Sequence, residues 1–440
     1  MMTYYFKLAC LGVRKTPFLS FLIVAMIAIG IAATMTTYTV SYMMSKDPIP
    51  AKSQTLFNVQ LDNFSKEYAI EMGDKLNYTL TYQDAMNLIK SDIPRYQVAL
   101  NSSEEMLSNP ARPDLQPENV TVRTTTPDFF NIFEVPIAFG NGWDQQAEDN
   151  AAQVIVLSKK TNQRLFNGEN SVGQTVLFAD KVFTVVGVME HWSPIPKYYS
   201  HAMDTYNDPY DVFIPLNTQM KNEFYSSFSA DTHCWQEPED GSFAALIASE
   251  CSMINMWVEL PDEQTKAQYK DFLTSYAQQQ QAFGRFPNST RSKLLTVRER
   301  LIDDEMIPND GKLAVWLAVL FLIVCLLNCM SLMMAKFFGR SKEVGLRRAV
   351  GASKQAIFIQ FSVELALLGA LGGLLGLALA QLGLKILTSI YYYMPAGIMQ
   401  MNLSLAATTL LLALLCSLLF GLLPILKASQ TTPSSQLKSL

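Results

Sequence analysis

The sequence predicts an α+β membrane protein: four transmembrane helices, with a large two-lobed α+β extracytoplasmic domain inserted between the first and the second. Three observations predict it. Four apolar runs are each long enough to cross a bilayer, which takes roughly 20 residues at about 1.5 Å per residue. They are Phe18 to Val40, Leu313 to Ala335, Leu365 to Leu387 and Leu403 to Leu426. Charge is divided unequally: Asp47 to Gly311 holds 37 of the 39 acidic residues and 20 of the 34 basic ones, a net −17, and leaves the rest at +12. The acidic stretch also alternates short strand-type and helix-type runs. A basic, apolar remainder beside an acidic soluble domain is a membrane-protein pattern, and it excludes the single basic face of a nucleic-acid binder. The chain divides into 1–46, 47–311 and 312–440.

At the N-terminus, Tyr4-Tyr5-Phe6-Lys7-Leu8-Ala9-Cys10-Leu11 mixes aromatic and apolar residues with a basic cluster. That composition suits either a helix lying along the inner membrane surface or a frayed basic anchor. The apolar run that follows outlasts the roughly 7–15-residue core of a signal peptide, and Ala32-Ala33-Thr34 is a weak cleavage site, so the run is expected to stay as an anchor. Pro48 and Pro50 end its helix.

Orientation follows from lysine and arginine near the spans. Lys7, Arg14 and Lys15 precede the first span. Lys336 to Gln360, between the second and third, has six basic side chains among seven charged ones, and Lys427 and Lys438 follow the fourth. Both termini and the central loop are therefore expected in the cytoplasm and residues 47–311 outside it, with Tyr391-Tyr392-Tyr393 at the outer interface.

In the outer segment, Leu56 to Leu61 and Tyr96 to Leu100 read as strands and Tyr82 to Lys90 as a helix. Far later, Met253 to Leu260 reads as a strand and Glu263 to Phe283 as a helix. This pattern predicts one lobe split in sequence, with a second inserted in it. The insert reads as strand Val154 to Leu157, helix Lys159 to Phe166, a hairpin from Thr175 to Phe178 and Val182 to Val188, and strand Phe213 to Leu216. Cys234 and Cys251 are the only cysteines of the outer segment, and in an oxidising compartment they are expected to form a disulfide. Cys10, Cys325, Cys329 and Cys416 suit apolar packing.

Catalytic chemistry is hard to place. His191, His201 and His233 form no metal-binding helix motif, and there is no CxxC and no serine elbow. Gly168-Glu169-Asn170-Ser171-Val172-Gly173-Gln174-Thr175 imitates a phosphate-binding loop, but Gln174 stands where its lysine belongs. The stretch is predicted to be a turn.

The membrane half is more informative. Gly369/Gly373 and Gly372/Gly376 stand at four-residue spacing, which lets another helix backbone approach, whether in the same chain or in a dimer. Glu364, at the cytoplasmic opening of the third span, is expected to snorkel or to pair with a nearby base. Between the spans, Ser341 to Val350 is predicted to form a short amphipathic helix closed by Gly351. Val344, Leu346 and Val350 form its apolar side, and Lys342, Arg347 and Arg348 carry charge to the cytosol. The bland function of this loop is a basic anchor against anionic lipid.

KEVGLRRAVGASKQAIFIQFSVELALLGALGGLLG resembles the signature region of the FtsX/MacB-like permeases of ABC transporters. The likeness rests on Glu343, Gly345, Arg347, Arg348, Gly351, Ala352, Gln360, Glu364, Gly372 and Gly373. TTPDFFNIFEVPIAFGNGW, VIVLSKKTNQRLFNGENSVGQTV and FTVVGVM are similar to the MacB-type periplasmic core domain, and the tail PILKASQTTPSSQLKSL resembles the family's closing segment. The resemblance implies a non-catalytic subunit in a bacterial inner membrane that binds no cofactor itself. It implies a cytoplasmic ABC ATPase carrying ATP and magnesium, docked on Lys342, Glu343, Gly345, Leu346, Arg347, Arg348, Gly351 and Ala352. Because no nucleotide motif lies on the cytoplasmic side, that ATPase is expected on a separate polypeptide, with the docking helix underpacked when the chain is seen alone. The resemblance also implies a second permease subunit, a membrane lipid surround and, for export of a peptide, toxin, antibiotic or lipid-like molecule, a periplasmic adaptor and outer-membrane channel. Lipoprotein release of the LolC/LolE kind, and activation of cell-wall hydrolases of the FtsX kind, are the alternatives.

Overall fold

The computed structural model describes residues 2–200, 205–224, 233–234, 238, 240, 242–305, 311–390 and 403–429. His201 and the Tyr391–Tyr393 run lie outside the described residues. The chain forms two compact units, Lys46–Ile307 and the pair Met1–Ser45 with Pro308–Leu440.

Helices α1 (Met2–Lys15) and α2 (Pro17–Ser45) open the chain. They part at Thr16, where Pro17 takes the first helical position and its missing N–H costs nothing.

The outer unit then carries β1 (Leu56–Leu61), α3 (Lys66–Met72), β2 (Thr79–Thr81), α4 (Tyr82–Leu88), β3 (Tyr96–Ser108), β4 (Glu118–Thr125), α5 (Phe129–Ile132), β5 (Ile137–Gly140) and α6 (Gln145–Asp149). Next come β6 (Val154–Leu157), α7 (Lys159–Phe166), β7 (Thr175–Phe178), β8 (Lys181–Met189), β9 (Val212–Pro215) and α8 (Leu216–Asn222). The unit closes with β10 (His233–Cys234), α9 (Phe243–Ala248), β11 (Cys251–Glu259), α10 (Glu263–Ala282), β12 (Ser292–Thr296) and α11 (Val297–Asp303). Side-chain caps set several of these starts. Ser65, Thr81, Ser158 and Asp262 each accept a backbone N–H of the first turn, and Thr296 with Glu299 forms a capping box.

One hydrogen-bonded path joins the strands in the order β12-β1-β11-β3-β4-β9-β6-β8-β5. The outer unit thus holds one sheet and not a separate sheet in each half. The link is β3, which pairs with β11 through Tyr96–Leu100 and with β4 through Leu100–Leu107. The strand predicted at Tyr96–Leu100 runs on to Ser108 because Asn101 and Ser103, polar in sequence, are buried within the sheet. Residues from the two ends of the segment share one core, in which Phe57, Val59 and Leu80 meet Ile254, Met256 and Leu273. The middle has its own, built on Ile155, Leu165, Phe183 and Ile214. Phe129, Phe133, Tyr199, Phe213 and Trp257 anchor a third, aromatic cluster. Fully burying a side chain of this size contributes about 1.5–3 kcal/mol.

The stretch that imitates a phosphate loop is a turn. Gly168 and Gly173 take φ of 80° and 85°, in the left-handed region where only glycine is unstrained. Cys234 is disulfide-bonded to Cys251 and ties β10 to β11. Replacing Cys251 by serine is expected to lower outer-unit stability by about 3 kcal/mol in the chain-entropy account. Chemical denaturation without reductant measures it, and an unchanged midpoint would mean the bridge constrains nothing.

The membrane unit resumes with α12 (Gly311–Phe338), α13 (Ser341–Ala349), α14 (Lys354–Ile390) and α15 (Leu403–Ser429). Among the described residues, four stretches are long and apolar enough to cross a membrane: Pro17–Met44, Leu313–Phe338, Lys354–Ser389 and Ala406–Lys427. The third starts at Lys354 and not at Leu365. Its first turns look too polar for a span, yet they are helical because Ser353 caps Ala356 and because Ile357 and Phe361 are buried against the bundle. The glycine pairs divide between two neighbours. A Cβ on Gly369 would lie 2.8 Å from Ser417 Cβ, and one on Gly373 3.1 Å from Ala413 Cβ, both on α15. One on Gly372 would lie 2.8 Å from Ile27 Cβ, and one on Gly376 3.0 Å from the Ala28 carbonyl, both on α2. All four glycines are thus used for close packing inside the chain.

Candidate coupling site

The loop between the second and third spans folds as a helix held on one side and open on the other. α12 stops at Phe338, α13 starts after Arg340, and Gly351, with φ of 107°, lets the chain turn into α14. Val344 is 4% exposed and Gly345 is buried, whereas Leu346 is 68% and Val350 82% exposed. The three apolar residues expected on one side therefore split: Val344 faces the bundle, and Leu346 and Val350 face away from it. Lys342 is exposed as well. Arg347 does not simply carry charge to the cytosol. Its guanidinium donates to Gln360 Oε1 at 2.8 Å and to Glu343 Oε1 at 2.8 Å.

Glu343 gathers cations from three directions. Besides Arg347 it meets Arg340 at 3.5 Å and Lys15 of α1 at 3.1 Å. Burial alone would raise its carboxyl, but the hydrogen bond from Lys15 and the charges of Arg340 and Arg347 outweigh it and hold Glu343 below the usual carboxylate range.

One layer deeper lies Glu364, 0% exposed, with Lys336 Nζ 2.8 Å from one carboxylate oxygen and Arg340 Nη1 2.8 Å from the other. Lys336 also donates to Ser20 Oγ of α2 at 2.8 Å. Phe337 and Phe361 stack beside them with centroids 4.5 Å apart. A buried carboxylate is tolerated only when its charge is answered, and here two cations do so, one at each oxygen. The expectation that Glu364 pairs with a base is met, and the base is supplied twice over. Sequence reasoning did not find Gly12, Lys15 or Ser20 as partners of this region, because the only signal for them is their basic or small character just ahead of the first span or in its first turn.

The outer unit has a second place of chemical interest. A cavity of about 510 Å³ is lined by Tyr82, Met86, Gln97, Asp128, Glu148 and Asn217, among others. Glu148 is buried and accepts from Trp143 Nε1 at 3.0 Å and from the Asn217 backbone N–H at 2.8 Å. Burial nevertheless dominates and pushes its carboxyl from the ordinary 4.5 up to about 7. The folded state therefore holds this proton more tightly than the unfolded chain does. Its contribution to stability is complete below pH about 4.5 and is lost as pH rises through about 7, a swing of about 3 kcal/mol at most. In the full chain, Trp143 fluorescence is expected to titrate near pH 7, and Glu148→Gln is expected to remove both that titration and the stability slope. A slope unchanged in Glu148→Gln would assign it to other groups. Among the described residues, no three or more His, Cys, Asp or Glu side chains are grouped to hold a metal ion.

The family model of the MacB-like periplasmic core domain matches residues 20–276, and that of the FtsX-like permease C-terminal matches residues 315–433. The chain is 28% identical over 315 residues to the pyoverdine export ATP-binding/permease protein PvdT of Pseudomonas syringae pv. syringae (strain B728a), covering 70% of this chain and 41% of that protein. It is 27% identical over 347 residues to the macrolide export ATP-binding/permease protein MacB of Syntrophobacter fumaroxidans, covering 70% and 46%. The chain thus spans less than half the length of these relatives. Among solved structures, the periplasmic region of MacB from Actinobacillus actinomycetemcomitans aligns with a TM-score of 0.36 at 15% identity, over 57% of this chain and 92% of that one. The extracellular domain of the noncanonic ABC-type transporter YknZ aligns with a TM-score of 0.35 at 12% identity, over 55% and 99%.

Proposed function

Since the chain belongs to the FtsX/MacB-like family of ABC transporter permeases, with a periplasmic core domain at 20–276 and a permease C-terminal domain at 315–433, we propose that α13 is where a cytoplasmic ABC ATPase grips it. The observation that carries this reading is the contrast within one short helix. Its inner face is fixed by Val344 and the ion pairs of Glu343, while Leu346 on its outer face and Val350 at its C-terminal cap are exposed. A rigid base with an apolar edge suits a helix that inserts into a partner's groove and transmits force. ATP and magnesium belong to the ATPase, and this chain supplies no catalytic group. Movement of α13 passes into α12 and α14, which flank it directly in sequence, and so to the periplasmic domain.

The work done outside is export of a peptide, toxin, antibiotic or lipid-like molecule, with a second permease subunit completing the membrane assembly and an adaptor and outer-membrane channel carrying the substrate onward. Both termini and α13 face the cytoplasm, as the lysine and arginine bias requires. Purifying the full chain from its native membrane in mild detergent and identifying every bound protein tests this. An ABC ATPase and an adaptor are expected. A lipoprotein held in place of an adaptor would overturn the export reading, and the absence of any nucleotide-binding protein would overturn the coupling reading.

A further inference from the structure

The N-terminal helix α1 touches the charged core of the coupling site, and nothing in the family matches assigns it a role, since they begin at residue 20. Its inward side is set by Ala9, 0% exposed, and Gly12, also buried. Gly12 lies so close to the buried pair that a Cβ there would stand 2.7 Å from Glu364 Cδ and 2.8 Å from Arg340 Nη1. One turn on, Lys15 reaches Glu343 of α13. After the Pro17 break, Ser20 receives Lys336. Over nine residues the chain thus meets both carboxylates of the site, Arg340, which pairs with both, and Lys336, which pairs with Glu364. Tyr4, Phe6 and Leu11 are exposed on α1 together with Lys7 and Arg14, the mixture that settles at a lipid surface.

The weights of these contacts differ. Lys15 is 59% exposed, and an exposed ion pair by itself holds little. The close seat at Gly12 is different, because any side chain there would push against the tips of Glu364 and Arg340, which are buried and paired with each other.

We propose that α1 positions the coupling helix. Gly12 seats it on the Arg340–Glu364 pair and Lys15 ties it to Glu343, so that the placement of α1 on the inner membrane surface fixes the angle of α13. Gly12 and Lys15 are positioning residues that act through Arg340, Glu364 and Glu343. The functional consequence rests on the reading of α13 as the ATPase dock, but the structural one does not.

The test therefore reads both, in the full chain reconstituted in bilayer nanodiscs. Spin labels at Leu313 and Leu346, both exposed and neither on α1, report the position of α13 against the far end of α12, with Cys10 and Cys416 replaced by serine. The otherwise wild-type chain is expected to give one narrow distance. Gly12→Leu is expected to add a second, displaced population, Lys15→Met to broaden the first, and Lys15→Arg to leave it narrow. A distribution unchanged in both Gly12→Leu and Lys15→Met would overturn the proposal. If Gly12→Leu does not fold, Gly12→Ala takes its place, since a single Cβ there already meets Glu364 and Arg340. With the co-purified ATPase present, Gly12→Leu is expected to lose about fivefold in permease-stimulated ATP turnover while the ATPase stays bound. An altered distance distribution with no ATPase bound even to wild type would sink the docking reading and leave the positioning of α13 by α1 standing.

Discussion

Glu364→Ala is expected to destabilise the membrane unit by about 3–5 kcal/mol, the usual cost of removing one partner from a buried ion pair. The carboxylate is fully buried, and its loss leaves Lys336 with no counter-ion and Arg340 with only Glu343, at 3.5 Å, in a low-dielectric setting. Neither cation can easily reach water, since the Lys336 side chain is itself 0% exposed and Arg340 is nearly so. Unfolding in a detergent titration, followed by helix content, measures the loss. The triple replacement of Lys336, Arg340 and Glu364 by methionine serves as the contrast. It removes all three charges together and is expected to cost far less than Glu364→Ala, because apolar groups of similar volume do not carry the desolvation penalty. If Glu364→Ala unfolds like wild type, the pair is wet and the charged core is no structural element.

The outer face of α13 gives the second large effect, and in the opposite sense. Leu346→Asp with Val350→Asp is expected to weaken ATPase binding by about 30-fold or more, as loss of two anchor residues at an interface does. Both side chains are mostly exposed in the isolated chain, so its own unfolding midpoint is expected to stay put. Val344→Asp, on the buried face, is expected to do the reverse: it lowers stability first and binding only in consequence. Co-purification of the ATPase together with a detergent melt separates the two faces. Full binding by the double aspartate variant would move the dock elsewhere. Glu343→Lys and Arg347→Glu fall between these cases, since each breaks an ion pair inside the site and each is expected to uncouple ATP turnover from transport.

The amino-acid sequence by itself determined the spans, the expected orientation, the outer segment with its inserted middle, and the short helix between the second and third spans. These are legible because each follows from a local quantity: the length of an apolar run, the sign of nearby charge, or a strand or helix period bounded by glycine and proline. It also required that Glu364 snorkel or find a base, since the cost of an unpaired carboxylate in a membrane does not depend on the fold. Several matters needed the folded chain. Asn101 and Ser103 look like the end of a strand until β4 lies beside them, and Lys354–Gln360 looks too polar for a span until Ile357 and Phe361 are buried. The two glycine pairs on α14 fit a dimer as well as an intrachain contact until α2 and α15 are seen filling them. The same holds for the coupling site. Which of Val344, Leu346 and Val350 faces inward, and that Gly12 and Lys15 of a distant helix reach Glu364 and Glu343, are decided by tertiary contacts, the latter two between residues more than 300 positions apart. Local periodicity places side chains on a face, but only the packing of the whole bundle decides what that face meets.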